Sequence, residues 1–232
     1  MSFENVIRRS GQLFAPVVPF KPDGDKLLLL DFTAGNTDLT EEILKETNLF
    51  SAYINDKLSS AGARYGIGGY NEHRTVYSRS KVFDPPIPGE EARRLHLGTD
   101  IWGKPYTAVM APLDGIVHSF AFNNRFGDYG ATIILSHQLD GTSFHSLYGH
   151  LSLASLKNLQ EGQLIKKAEV FAEFGIPFEN GHWPPHLHFQ LILDMKEWRG
   201  DYPGVCKYAE RDQWLANSAD PDLLLDLNRY IR

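Results

Sequence analysis

The clearest pattern in the chain is strict alternation over residues 186–191, inside a β-like run over 186–194. Leu187, Phe189 and Leu191 take one set of positions, and His186, His188 and Gln190 take the other. Strand side chains alternate faces, so this spacing predicts a strand with an apolar side toward a core and both histidines on the opposite side. Pro184 and Pro185 come just before it and cannot donate ladder hydrogen bonds, which places the strand's start at or after them. Upstream, short β-like runs follow at close intervals, at 95–101, 106–111, 115–122, 130–138, 142–150 and 163–174. Turn signals fall between them at Asp114-Gly115, Asp140-Gly141 and Gly175, a rhythm that predicts an antiparallel sheet.

The first third of the chain reads differently. Phe14 to Phe20 is an extended apolar segment interrupted by Pro16 and Pro19, expected at an edge or covering position. Leu27 to Phe32 is a short apolar run consistent with a buried strand. Asp38-Leu39-Thr40-Glu41 reads as a capping box, and Ile43, Leu44, Phe50, Tyr53, Ile54 and Leu58 then recur near helical spacing. A helix is expected from about 39 to 59, broken near Asn48, with its stripe packed on the sheet. The breakers of Phe83 to Gly89 mark the boundary between an N-terminal segment, 1–88, and a β domain, 89–205. Leu223, Leu224, Leu227 and Ile231 give the last stretch, 206–232, a helical character. The fold class expected is mainly β with flanking helices.

Composition adds limits. At 232 residues the chain has length for a substantial core. A net charge of −6 with no basic block argues against nucleic-acid or anionic-membrane binding. The single cysteine, Cys206, precludes an intrachain disulfide and reads as a small buried hydrophobe. No signal-type leader and no long apolar run stands in the sequence, so a cytoplasmic location is expected.

The chemistry lies in the histidines. Two imidazoles on one strand face are costly to bury unpaired and suited to holding a metal ion or working beside one. His96 and Asp100 offer a nitrogen and an oxygen, both common zinc ligands. Gly98, Thr99 and Ile101-Trp102-Gly103 argue against a helix there; in an extended segment positions 96, 98 and 100 share a side, and Gly98 leaves room between the ligands. His96, Asp100 and one histidine of the 186/188 pair make three protein ligands with a fourth position open, which is how catalytic zinc sites differ from structural ones. His150, in Leu147-Tyr148-Gly149-His150-Leu151, and the second histidine of the pair are then placed to move protons. Tyr65, Asn71 and Arg74 are candidates to flank this site, and His182 a candidate to reach it. His118, His137 and His145 are expected half-exposed.

Three blocks carry a family resemblance: His96-x-x-x-Asp100, Tyr148-Gly149-His150-Leu151, and Pro185-His186-Leu187-His188-Phe189. In this order they resemble the signatures of the M23 (lysostaphin/LytM-type) zinc metallopeptidases. The likeness runs over roughly residues 90–195 and includes the turn-bearing stretches 111–117 and 162–167. It implies a β-sheet core of the LytM, duplicated-hybrid-motif type and a zinc-dependent amide or peptide hydrolase acting on a peptide or small amide. It also implies that His96, Asp100 and His188 bind Zn2+, and that His150 and His186 are catalytic. Pro184 and Gln190 depart from the family's usual Gly and Glu, and Gln190 bears on hydrogen bonding around a ligand. The Trp-Pro-Pro-His-Leu-His-Phe-Gln-Leu wording is similar to M23-like domains fused between a phosphotransferase and a PLP-dependent aminotransferase. That setting motivates the alternative of a metal-holding domain that binds a small molecule or partner without hydrolysis.

Overall fold

The computed structural model describes residues 2–231. A short helix α1, Phe3–Arg9, starts the chain. Strand β1, Leu27–Leu30, is followed by helices α2, Glu41–Lys45, and α3, Thr47–Ala61, and by strand β2, Tyr65–Gly68. The β-rich stretch contains β3, Leu95–His96; β4, Thr99–Trp102; β5, Ala108–Met110; β6, Gly115–Asn123; and β7, Gly130–Leu139. It continues with β8, Thr142–Leu151; β9, Leu164–Ile165; β10, Val170–Glu173; and β11, His186–Ile192. The chain ends with β12, Val205–Cys206; α4, Arg211–Leu215; β13, Ser218–Ala219; and α5, Asp222–Leu225.

The fold is mainly β with few, short helices. One large sheet runs β1-β2-β4-β11-β8-β7-β6-β9, with β13 added against β11. All its pairings are antiparallel except β1 with β2. The two small sheets, β10-β5 and β12-β3, flank it. Strand β11 sits between β4 and β8, and its register sets His188 beside Asp100 on one side and Gly149 on the other. The alternation read in the sequence holds. Leu187, Phe189 and Leu191 enter one core cluster with Ile101, Ile133 and Tyr148, and the opposite face carries the histidines. No residue of β11 is exposed, because residues on both sides of the sheet cover it.

Residues upstream of the Pro-rich stretch 83–89 contribute β1 and β2 to this same sheet. The expected helix is present as two pieces, hinged at Glu46, where the backbone is extended (φ −101°, ψ 112°). Its cap is Thr40, whose hydroxyl accepts from the Ile43 N–H, and not Asp38 as the capping-box reading had it. Phe50, Ile54 and Leu58 of α3 pack with Leu30, Phe32, Trp102 and Trp183 in a second core cluster. Residues 14–20 form no strand; the Met110 N–H donates to Val17 O and the Ala15 N–H to Pro112 O, so the segment lies along β5 as a cover. Among the described residues no helix is long and apolar enough to cross a membrane.

Candidate metal centre

Two adjacent strands and a short third bring the ligand candidates together. Asp100 on β4 and His188 on β11 are register partners, and His96 enters from β3, held against β12. His96 Nε2 lies 3.0 Å from His188 Nδ1. Asp100 Oδ1 lies 3.1 Å from His188 Nδ1 and 3.3 Å from His96 Nε2. These three atoms outline a triangle whose sides approach the roughly 3.3 Å edge of a tetrahedron with zinc–ligand bonds of about 2.0–2.1 Å. All three residues are buried.

The outer nitrogens of the histidines decide which atoms carry protons. His96 Nδ1 lies 2.8 Å from Gly69 O, an acceptor only, so Nδ1 bears the hydrogen and Nε2 presents a lone pair. His188 Nε2 lies 2.9 Å from Gln190 Oε1. The Gln190 amide is oriented by its NH2 group, which donates to Pro203 O at 3.2 Å and pairs with Ser218 Oγ at 3.0 Å. Its oxygen therefore faces His188, the His188 hydrogen is on Nε2, and the Nδ1 lone pair faces Asp100. Three acceptor atoms thus converge with no hydrogen among them. Buried acceptors grouped in this way can share a cation. The donor set of two imidazoles and a carboxylate fits zinc.

Burial works against the Asp100 carboxylate, but the His96 and His188 imidazoles and the Arg74 guanidinium outweigh it and hold its pKa well below the usual range. Burial, reinforced by Arg74, depresses His96 to about 4 against the pull of Asp100, so its imidazole is neutral at pH 7. Arg74 itself, a candidate flanking residue, places its Nη1 2.6 Å from Asp100 Oδ2. Asn71 participates through its backbone N–H, which donates to His96 O. Tyr65 does not take part; its hydroxyl donates to Pro19 O.

His150 and His186 stand beside this triangle, with ring centroids 4.1 Å apart. His186 stacks on Trp102, 3.8 Å between centroids and 12° between planes, which fixes its ring. His150, the next-to-last residue of β8, has φ of +63° where the register against β7 slips, and its N–H donates to Tyr129 O. This left-handed backbone turns the ring toward β11 at a conformation that costs a non-glycine residue energy. The Nδ1 of each ring lies 2.8 Å from a backbone carbonyl, Asn180 O for His150 and Pro184 O for His186. Each therefore keeps its hydrogen on Nδ1 and a lone pair on Nε2. Burial lowers the pKa of both, to about 4 for His186 and well below its ordinary value for His150. Both are neutral bases at pH 7.

Arg74, Asp100, His150, His186 and His188 line one cavity of about 270 Å³, with Trp102, Tyr129 and Trp183 among its walls. Tyr129, which the sequence pattern did not single out, sets its hydroxyl 3.3 Å from His188 Nε2. Gln190, which the sequence marked as bearing on hydrogen bonding around a ligand, meets His188 Nε2 from two residues further along the same strand face. His182 stays away from the cavity, its ring stacked on Phe126. His137 is buried, not half-exposed, because its ring bridges Asp114 O and Ser146 Oγ across the sheet.

The model of peptidase family M23 matches residues 94–199. The L-Ala–D-Glu endopeptidase of Bacillus subtilis is 27% identical over 175 residues, 72% of this chain and 49% of that protein. An uncharacterized metalloprotease of Haemophilus influenzae is 30% identical over 158 residues, 63% of this chain and 30% of that protein. The chain thus spans about half or less of the length of these curated relatives. Among solved structures, the catalytic domain of lysostaphin from Staphylococcus simulans aligns with a TM-score of 0.44 at 21% identity, over 76% of this chain and 97% of that one. A zinc-containing peptidase from Vibrio cholerae aligns with a TM-score of 0.37 at 25% identity, over 53% and 31%. The segment that matches the family model, somewhat under half of the chain, is the one that carries His96, Asp100, His150, His186 and His188.

Proposed function

We propose that this chain is a zinc-dependent hydrolase of peptide or small-amide bonds, with His96 Nε2, Asp100 Oδ1 and His188 Nδ1 as the metal ligands. The convergence of three proton-free acceptors at 3.0–3.3 Å carries the reading. A zinc ion held there supplies Lewis acidity, lowering the pKa of a water toward ~7 and polarising a carbonyl oxygen.

The chain's own residues supply the proton chemistry. His150 and His186 present Nε2 lone pairs, their Nδ1 hydrogens being committed to Asn180 O and Pro184 O. One accepts the proton of the attacking water, and the pair then returns a proton to the leaving nitrogen or donates a hydrogen bond to the developing oxyanion. Trp102 keeps His186 from rotating out of line, and Tyr129 and Trp183 wall the cavity beside it.

Metal content and turnover test the reading together. Purified protein should hold one zinc per chain, and His188→Ala should lose it. His186→Ala should keep the metal and lose cleavage of amide substrates, a panel that includes glycine-containing peptides and an L-Ala–D-Glu peptide suggested by the Bacillus subtilis relative's name. Full zinc content in His188→Ala would overturn the ligand assignment. A zinc-loaded wild type inert across the panel would favour a metal-holding domain that binds without hydrolysis.

A further inference from the structure

Only one oxygen of the Asp100 carboxylate faces the histidines. The other, Oδ2, is held by Arg74 Nη1 at 2.6 Å. Arg74 is 1% exposed, and its guanidinium is fixed on every side. Its Nε donates to Glu72 Oε2 at 2.6 Å, its Nη2 to Gly69 O at 3.1 Å, and its Nη1 also reaches Tyr77 Oη at 3.3 Å. Its Cζ lies 5.1 Å from the centroid of the Phe32 ring. Gly68 leaves room for it; a Cβ there would sit 2.8 Å from Nη2.

The same strap holds His96. Gly69 O accepts from His96 Nδ1 as well as from Arg74. The Asn71 N–H donates to His96 O, and the His96 N–H donates to Glu72 O. Residues 68–77 therefore fix the outer side of two ligands, and they lie upstream of the segment 94–199 that matches the family model.

We propose that Arg74 is a positioning residue for the metal centre, making Asp100 a one-oxygen ligand and fixing the direction of Oδ1. The proposal rests on the zinc reading above. A carboxylate with both oxygens free can swing about its last torsion or engage a cation through either or both oxygens. Engaging Oδ2 in a charge-assisted bond leaves one oxygen to offer. A lone guanidinium would repel the incoming cation. Glu72, paired with the same guanidinium, cancels that charge and leaves the orientation.

The test compares wild type, Arg74→Met, Arg74→Lys and Glu72→Gln. Zinc affinity is read by chelator competition, the visible spectrum of the cobalt(II) form reports coordination, and thermal unfolding of the metal-free proteins checks the fold. Arg74→Met should bind zinc about 10–100-fold more weakly and change the cobalt bands as Asp100 gains a second coordinating oxygen. Arg74→Lys should fall between, because an ammonium restores charge without the fork that spans Asp100, Glu72 and Gly69. Glu72→Gln should weaken zinc in the same direction by a smaller factor. A folded Arg74→Met with wild-type affinity and spectrum overturns the proposal. Should Arg74→Met not fold, unchanged affinity in Glu72→Gln does so instead. Wild-type protein that takes up neither ion removes the metal reading itself, a result distinct from either.

Discussion

Adding one methyl group at Gly98 tests the ligand geometry directly. A Cβ at this position would stand 2.6 Å from His188 Cε1, 2.7 Å from His188 Nε2 and 2.8 Å from Phe189 O. Ordinary contacts between carbon atoms begin near 3.5 Å, so the overlap is about 0.9 Å. Phe189 O cannot move, since β11 is paired on both sides at that residue, with Thr99 and with Tyr148. The His188 ring must yield. Turning it by that distance breaks the 2.9 Å bond to Gln190 and carries Nδ1 off the triangle, whereas metal sites accept deviations of only about 0.2 Å. Gly98→Ala should therefore weaken zinc binding at least ~100-fold, close to 2.7 kcal/mol. Overpacking should also destabilise the metal-free protein by about 1–3 kcal/mol. Gly24→Ala, with open space around its Cβ, is the control. Isothermal titration of the apo proteins with zinc reads the first effect and urea unfolding the second. Wild-type zinc affinity in Gly98→Ala would show that His188 is not a ligand where the triangle puts it.

Three further outcomes follow from the same geometry. Gln190→Leu removes the acceptor that sets the His188 tautomer and should lower zinc affinity about 10–100-fold, while Gln190→Glu keeps an acceptor and should lose less; chelator competition separates them. The metal-free protein should lose stability as pH falls from 6.5 toward 4. His96 and His186 are buried neutral with pKa values near 4, so the unfolded chain binds protons first, and each contributes a loss of about 1.4 kcal/mol per pH unit within that window. A urea midpoint that stays flat between pH 7 and pH 5 would contradict this. Trp102→Ala, which removes a 1%-exposed indole and the surface on which His186 stacks, should cost about 3–5 kcal/mol and lower the melting temperature sharply.

The sheet was legible because its signal is local. Period-two alternation at 186–191 and turn residues between short runs specify strands without reference to the rest of the chain; the runs at 130–138, 142–150 and 186–194 lie within two residues of β7, β8 and β11, while those at 95–101 and 163–174 each divide into two short strands. Spacing on single strands put His186 and His188 on one face and His96 with Asp100 on one side, with Gly98 leaving room; that His188 and not His186 joins the other two was implied by the family resemblance alone. Less visible was anything requiring knowledge of which strands become neighbours. Tyr129 reaches His188 only because the end of β8 folds back on the start of β7, and His137 is buried by a cross-sheet bond to Ser146. Arg74 could be suspected as a neighbour of the site from its sequence surroundings, but its grip on Asp100 depends on β2 pairing with β4.

The division of labour between the motif blocks and the rest of the chain follows from the proton positions. The blocks supply four imidazoles and a carboxylate, yet a histidine contributes either a lone pair or a hydrogen at a given nitrogen, and the blocks alone do not say which. Gly69 O, Gln190 Oε1, Asn180 O and Pro184 O decide it by accepting from the outer nitrogen of each ring. Only Gln190 and Pro184 lie within a few residues of a histidine they orient; Gly69 and Asn180 come from segments distant in sequence. If any of these acceptors were replaced by a donor, the corresponding ring would turn its hydrogen inward, and the site would lose a ligand or a base without losing a motif residue. The proposed metal triangle and proton-carrying pair therefore depend on three backbone carbonyls and the Gln190 amide, and on where the surrounding loops fold as much as on the histidines themselves.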